Sequence, residues 1–364
     1  MAIIAGTGSC LPKCRITNDQ ISTWVDTSDQ WIRERTGIRE RRIAAEETTV
    51  MMAYQAGKKA LEQAKCSPEE VDLILVATIS GEQVFPGTAC GVQKLLKAQH
   101  AAAFDINGAC TGFVLAYHVA ESLLETGGYQ TVLVIGSECL SHITDWTDRG
   151  TCILFGDGAG AVLLQKSISR PYLSVIHSDG EKGEALTCRS RNDGVHSNLC
   201  QTEHPFLGGG KGRERFAVTG TKNSLPSDKD RNEEAFCEIP KDRKESFAYF
   251  MKMDGQAVFK FAVKKVPEVM EEVLRKNRLE KQEIRYYVLH QANRRIVEAV
   301  ARRMEEPIGK FPMNLDRYGN TSSASIPILL DEMNRDGKLK QGDKLILAGF
   351  GAGLTWGAVI VEWK

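Results

Sequence analysis

The chain repeats itself. VDLILVAT (71–78) returns in character as IRYYVLHQ (284–291), TVLVIGSE (131–138) as DKLILAGF (343–350), and FGDGAGAVLL as the C-terminal FGAGLTWGAVIVEW. Ala77 and His290, Cys110 and Asn320, and Gly136 and Ala348 stand 213, 210 and 212 positions apart. Three landmark pairs at nearly one offset imply an internal duplication, and this restricts the fold more than any single helix or strand. Apolar strands alternate with amphipathic helices in each copy, and strands such as VDLILVAT are apolar on both faces, so helices must cover both sides of a largely buried sheet. The expectation is an α/β chain of two related halves, residues 1–170 and 171–364, around a pseudo-twofold axis. The second half carries a long insertion at about 181–252.

With 364 residues, 42% hydrophobic and 26% charged, the chain can bury a large core. Lys plus Arg and Asp plus Glu both number 47. No global field therefore attracts nucleic acid or an acidic membrane surface, and an anionic partner must be met by a local basic patch. No apolar run approaches membrane-spanning length. The opening Ala2-Ile3-Ile4-Ala5-Gly6 reads as a strand rather than a leader, and the ten cysteines form no CxxC pair. A reduced cytoplasm is expected. Within the insertion, the glycine run Gly208–Gly212 lacks the spacing of a phosphate loop. His196, Cys200 and His204 recur every four residues, but Gly194, Asn198 and Pro205 make a poor helix there, so no metal is expected.

Residues 101–128 read as a short buried strand (101–106), an Asn107-Gly108 turn, and a helix from Thr111 to Gly127-Gly128. Cys110 then sits at a helix start, where the dipole and unpaired N–H groups favour an anion. The thiol is expected to ionise below its free pKa of about 8.5 and to act as a nucleophile. A small residue filling a turn is the bland alternative. The duplication places Cys110, His290 and Asn320 at strand ends or helix starts on corresponding edges, so the three converge if the halves face each other. Cys, His and Asn together suit a papain-type hydrolase, with His as base and Asn orienting it. If the helix start activates the sulfur, His290 and Asn320 are free to donate hydrogen bonds where negative charge develops on a second carbonyl, which is thioester carbon–carbon bond chemistry. The segment WVDTSDQWIRERTGIRERR (24–42) is either a solvated helix laced with salt bridges or a rim gripping phosphate and adenine through Arg forks and an aromatic face.

The motifs VDTSDQWIRERTGIRER, ATISGEQVFPG, ACTGF, DWTDRGT, LFGDGAGA, HQANRRI, GNTSSAS and GFGAGLTWG run nearly end to end. In their order the chain resembles the β-ketoacyl-acyl carrier protein synthase III family of the thiolase-like fold, in α-β-α-β-α layers. The resemblance implies acyl transfer from coenzyme A to Cys110 and condensation with malonyl-acyl carrier protein, releasing carbon dioxide, at the start of fatty acid synthesis. His290 and Asn320 then stabilise the enolate, and the backbone N–H groups of Cys110 and Ala352 form the oxyanion hole. Thr27, Trp31, Arg35, Arg149, Gly255 and Phe259 match coenzyme A contacts, and Phe85 and Phe155 the acyl pocket. The match at Phe85 implies a homodimer, since that residue reaches into the partner's pocket. Lys260, Arg295 and Arg302 fall where a basic patch receives the acidic carrier protein. No cofactor is implied beyond the coenzyme A thioester, which is a substrate.

Three departures accompany the match: Gly108 in place of an alanine two residues before Cys110, Ala352 within a glycine-rich triplet, and the length of the insertion. The insertion lies where the acyl pocket is bounded and leaves primer preference open. The alternatives are a synthase or acyltransferase of specialised metabolism, such as a polyketide starter enzyme, and a non-catalytic carrier-protein-binding module. Hydroxymethylglutaryl-CoA synthase matches less well, because Ile79 stands where that family carries a glutamate and Glu82 is out of register.

Overall fold

Strand Leu73–Ala77 shows how the layers form. Leu73, Leu75 and Ala77 point into one apolar cluster while Ile74 and Val76 point into another, as a period of two requires when both faces are covered. The computed structural model describes residues 2–168, 171–189 and 249–363. Its first sheet has the order Ala2–Cys10, Gly158–Lys166, Thr131–Glu138, Leu73–Ala77, Ala102–Ile106. The second has the order Val175–Ser178, Thr355–Glu362, Lys344–Gly351, Ile284–Leu289. The directions also match. In each sheet the first two pairings are antiparallel and the next is parallel, so the duplication read from the offsets is present in the backbone.

Helices Gly112–Thr126 and Ser325–Arg335 fill the space between the sheets. Phe113, Tyr117 and Ala120 of the first and Ile326, Leu330 and Met333 of the second share one cluster with residues of both sheets. Helix Thr49–Ala64 covers the outer face of the first sheet, and helices Gly255–Asn277 and Arg294–Arg303 cover the outer face of the second. The result is the five-layered α-β-α-β-α arrangement. The two central helices begin beside Cys110 and Asn320, so the layers bring both residues to one end of the core.

Two local readings change. Ala102–Ile106 is an edge strand rather than a buried one, with Phe104 43% exposed, because none of the described residues pairs with its outer side. The glycine-interrupted run CILFGDGAGAVLLQK (152–166), which reads in sequence as a strand pair, turns at residues 152–154 and forms one strand, Gly158–Lys166. The ends of the expected insertion meet, Leu186–Thr187 pairing with Lys252–Met253. His196, Cys200, His204 and Gly208–Gly212 lie outside the described residues.

Candidate active site

Between strand Ala102–Ile106 and helix Gly112–Thr126, one 3-10 turn, Ala109–Thr111, carries Cys110. Ala109 takes φ +43°, and strain of this kind persists only where the surroundings over-determine it. Here the surroundings come from the second half. A Cβ on Gly351 would lie 2.8 Å from Cys110 Cβ and 3.2 Å from its N. Thr111 Oγ1 donates to Thr355 O (3.1 Å) and accepts from Thr355 Oγ1 (2.9 Å). The nucleophile's turn is wedged into the last hairpin of the chain.

Asn320 is set by a corresponding turn. Its N–H donates to Leu154 O and its carbonyl accepts from Gly156 N–H (2.9 and 3.0 Å), which brackets Phe155. Oδ1 accepts from Ser322 N–H at 2.8 Å, so Nδ2 is the end of the amide left to meet a ligand. Ser322 itself has φ +49°. His290 ends strand Ile284–Leu289, and its N–H donates to Ala348 O at 2.8 Å. Its Nδ1 lies 2.8 Å from Ser325 Oγ, which is also 2.8 Å from Ser322 O. One short turn, 320–325, thus presents Asn320, holds His290, and turns the Ser322 hydroxyl toward Cys110.

Burial decides the electrostatics. It pushes the Cys110 thiol up to about 12, the charge of Glu138 adds to the rise, and the Ser322 hydroxyl and the residue's own amide offset part of it. The expectation of a low-pKa thiolate is therefore corrected. The helix proper begins two residues later, and the desolvation of a buried sulfur outweighs the helix start. Burial also pushes His290 down to about 3, so the imidazole is neutral and the thiol keeps its proton at neutral pH. Alkylation of Cys110 by iodoacetamide, followed on its peptide by mass spectrometry, is expected to be slow at pH 7. It should rise about tenfold per pH unit toward pH 9, and a plateau below pH 8 would restore the ionised thiol.

Cys110 opens onto a cavity of about 40 Å³ with Phe155, Leu140, Met251, Leu186 and Ile79 among its walls. Ser322, Ala352 and a second thiol, Cys188, also line it, and His290 and Asn320, which do not line it, connect to it through the turn that carries Ser322. Ile79 presents no carboxylate, as the hydroxymethylglutaryl-CoA synthase comparison requires of its position. Phe85 is 84% exposed and does not reach this cavity within one chain. Trp31 is flanked by the guanidinium groups of Arg149 and Arg35, 4.9 and 5.8 Å from the ring centre. Arg149 donates to Asp26 O at 3.0 Å, and Thr27 Oγ1 is buried with no hydrogen-bond partner among the described residues. Gly255 and Phe259 lie at the start of helix Gly255–Asn277, with Arg295 over the Phe259 ring at 5.8 Å. Lys260, Arg295 and Arg302 are exposed on two helices that pack together. Among the described residues no His, Cys, Asp and Glu cluster could hold a metal ion.

Sequence reasoning passed over Ser322, Ser325 and Glu138. The serines stand inside GNTSSAS, where only Asn320 drew notice. Glu138 had a visible signal, since it is the one charged residue of the strand Thr131–Glu138 and that strand is buried throughout.

Family profiles described as 3-oxoacyl-[acyl-carrier-protein] synthase III and its C-terminal region match residues 104–180 and 274–363. The chain is 43% identical over 363 residues to a β-ketoacyl-[acyl-carrier-protein] synthase III of Clostridium botulinum (strain 657 / Type Ba4), covering 99% of this chain and 98% of that one. It is 41% identical to the Clostridium acetobutylicum enzyme of the same name, with the same coverage. The crystal structure of 3-oxoacyl-[acyl-carrier-protein] synthase III from Aquifex aeolicus VF5 superimposes with a TM-score of 0.82 at 39% identity, covering both chains fully. With its duplicated sheets and a cysteine, a histidine and an asparagine joined through one turn, the chain belongs to the β-ketoacyl-[acyl-carrier-protein] synthase III family of condensing acyltransferases.

Proposed function

We propose that Cys110 accepts the acyl group of a short acyl-CoA and passes it to malonyl-acyl carrier protein, which begins a fatty acid chain. The observation that carries this reading is the turn 320–325, which ties a neutral imidazole and an outward amide to the nucleophile's turn. The sulfur attacks the thioester carbonyl, and the backbone N–H groups of Cys110 and Ala352 receive the oxyanion. Coenzyme A leaves as the thiol, carrying the proton that Cys110 gave up. Malonyl then loses carbon dioxide, and the electron pair moves onto the thioester as an enolate. His290 and Asn320 donate to its oxygen. The enolate carbon attacks the acyl-Cys110 carbonyl, the carbon–sulfur bond breaks, and the sulfur takes up one proton, the net proton the reaction consumes.

A protonated thiol needs an acceptor, and His290 suits both steps. Ser325 Oγ is equidistant from His290 Nδ1 and Ser322 O, so its hydroxyl can turn either way. With Nδ1 protonated, Nε2 accepts the Cys110 proton. With Nδ1 accepting from Ser325, Nε2–H donates to the enolate. The imidazole changes role through tautomers.

The ring of Trp31 between two guanidinium groups and the unpartnered Thr27 hydroxyl support a coenzyme A site there, with Gly255 and Phe259 along the pantetheine. Exposed Lys260, Arg295 and Arg302 are proposed to dock the acidic carrier protein. A second copy is proposed to cover the Ala102–Ile106 edge and to receive Phe85, because an open edge and an exposed aromatic are otherwise liabilities. The two halves are proposed to divide near residue 170. No described helix is long and apolar enough to cross a membrane, and the cytoplasm, where acyl carrier protein works, is the proposed compartment.

Among the described residues, the walls around Cys110 leave a cavity of about 40 Å³, which supports a short primer such as acetyl. Incubation with acetyl-, isobutyryl- and octanoyl-CoA, followed by intact mass, is expected to add one acetyl group readily, isobutyryl at least about tenfold more slowly, and octanoyl not at all. Equal loading of octanoyl would refute the short primer, and no loading of any of them would refute the acyl-enzyme.

A further inference from the structure

Glu138 is fully buried at the end of strand Thr131–Glu138 and has hydrogen bonds where a cation would be expected. Its Oε2 accepts from Thr78 Oγ1 (3.2 Å), Ile79 N–H (3.1 Å) and Ser80 Oγ (2.6 Å), all on the segment following strand Leu73–Ala77. Its Oε1 lies 2.8 Å from Ser323 Oγ, which comes from the other half of the chain, three residues after Asn320. Ser323 Oγ is also 2.8 Å from Ala77 O. The same serine packs against the nucleophile's helix: a Cβ on Gly112 would meet Ala77 Cβ at 3.2 Å and Ser323 Cβ at 3.5 Å. Gly136, two residues before Glu138, would place a Cβ 2.3 Å from Ser323 O. Strands Leu73–Ala77 and Thr131–Glu138 and the start of the nucleophile's helix therefore meet the Asn320 turn at Ser323.

We propose that Glu138 and Ser323 are positioning residues for the condensation step, a buried polar latch that holds the Asn320 turn of the second half in register with the Cys110 turn of the first. The inference rests on the condensing reading given above. Acylation of Cys110 draws on the sulfur, its oxyanion donors and His290, and neither Glu138 nor Ser323 hydrogen-bonds to any of them. Decarboxylation and carbon–carbon bond formation need Asn320 at a fixed distance from the acyl-sulfur, and a small displacement there is costly. The latch separates the two half-reactions.

Its chemistry also predicts which substitutions it tolerates. Ser323 has one hydroxyl hydrogen and two acceptors at equal distance, so the hydrogen can turn from Glu138 to Ala77 O. In Glu138→Gln the amide carbonyl can take the place of Oε2, and the amide N–H can donate to Ser323 Oγ while its hydroxyl turns to Ala77 O. The bond reverses and survives. Glu138→Leu and Ser323→Ala abolish it.

The test measures the two half-reactions separately: acetyl transfer from acetyl-CoA to Cys110 by rapid-quench mass spectrometry, and release of carbon dioxide with 3-oxoacyl product from acetyl-enzyme and malonyl-acyl carrier protein. Ser323→Ala and Glu138→Leu should acylate within about threefold of wild type and condense at least about thirtyfold more slowly, and Glu138→Gln should stay within about threefold in both. The double variant Glu138→Leu/Ser323→Ala should condense no more slowly than Glu138→Leu alone, because one contact cannot be lost twice. If Glu138→Leu fails to fold, Ser323→Ala and Glu138→Gln decide the matter. Condensation by Ser323→Ala at the wild-type rate, an equal fall in both half-reactions, or a multiplicative double variant would overturn the latch. A wild type that acylates but does not condense would instead overturn the reading of the reaction.

Discussion

Cys110→Ser should leave no acyl group on the protein after incubation with acetyl-CoA and should reduce turnover with malonyl-acyl carrier protein by about 10⁴-fold. A serine hydroxyl is a far weaker acid than a thiol, and this cavity already holds the thiol near 12 by burial. The alcohol holds its proton more tightly still, so the proton transfer to His290 that serves the thiol fails for serine. The fold should be unaffected, with a stability change within about 1 kcal/mol, since the substitution is nearly isosteric in a cavity wall. Intact mass and a turnover assay check this. If the variant labels as fast as wild type, the nucleophile is another group, and Cys188, the other thiol on the cavity, becomes the candidate.

Gly351→Ala is expected to slow acylation about a hundredfold and to cost about 2 to 3 kcal/mol of stability. The added methyl would sit 2.8 Å from Cys110 Cβ and 3.2 Å from Cys110 N. Neither strand Lys344–Gly351 nor the strained turn at Ala109 has slack to absorb it. The collision involves the nucleophile's own backbone, so the oxyanion donor moves with the sulfur. Gly128→Ala is the control. Nothing lies within 4 Å of a Cβ there, and its stability and activity should stay at wild-type values. Thermal unfolding and the acylation rate of the two variants, measured side by side, test this. A Gly351→Ala protein that acylates normally would mean that the hairpin can retreat from Cys110.

Much of the architecture was legible without coordinates because it depends on patterns that are local or repeated. Strands 73–77, 131–138 and 344–351 are continuous apolar runs, and such runs need helices on both faces wherever they lie. The near-constant offset of the three landmark pairs reflects one folding pattern used twice, and the two sheets share its strand order. The exposure of Ala102–Ile106 was not legible, since its composition suits a central strand as well as an edge, and only the lack of a neighbour among the described residues sets it apart.

The sequence by itself determined that there are two related halves, that Cys110 stands between a strand and a helix, and that His290 and Asn320 occupy the matching edge of the second copy. Tertiary structure alone decided what those groups are chemically. Whether a sulfur ionises depends on the water removed from around it by residues some 200 positions away, and here enclosure overrode the helix start. The same holds for Glu138, whose partners Thr78, Ser80 and Ser323 share no spacing with it, and for Gly351, whose need for a bare Cα exists only because Cys110 is folded against it. Desolvation and close contact are properties of the assembled neighbourhood, and no periodicity along a chain encodes them.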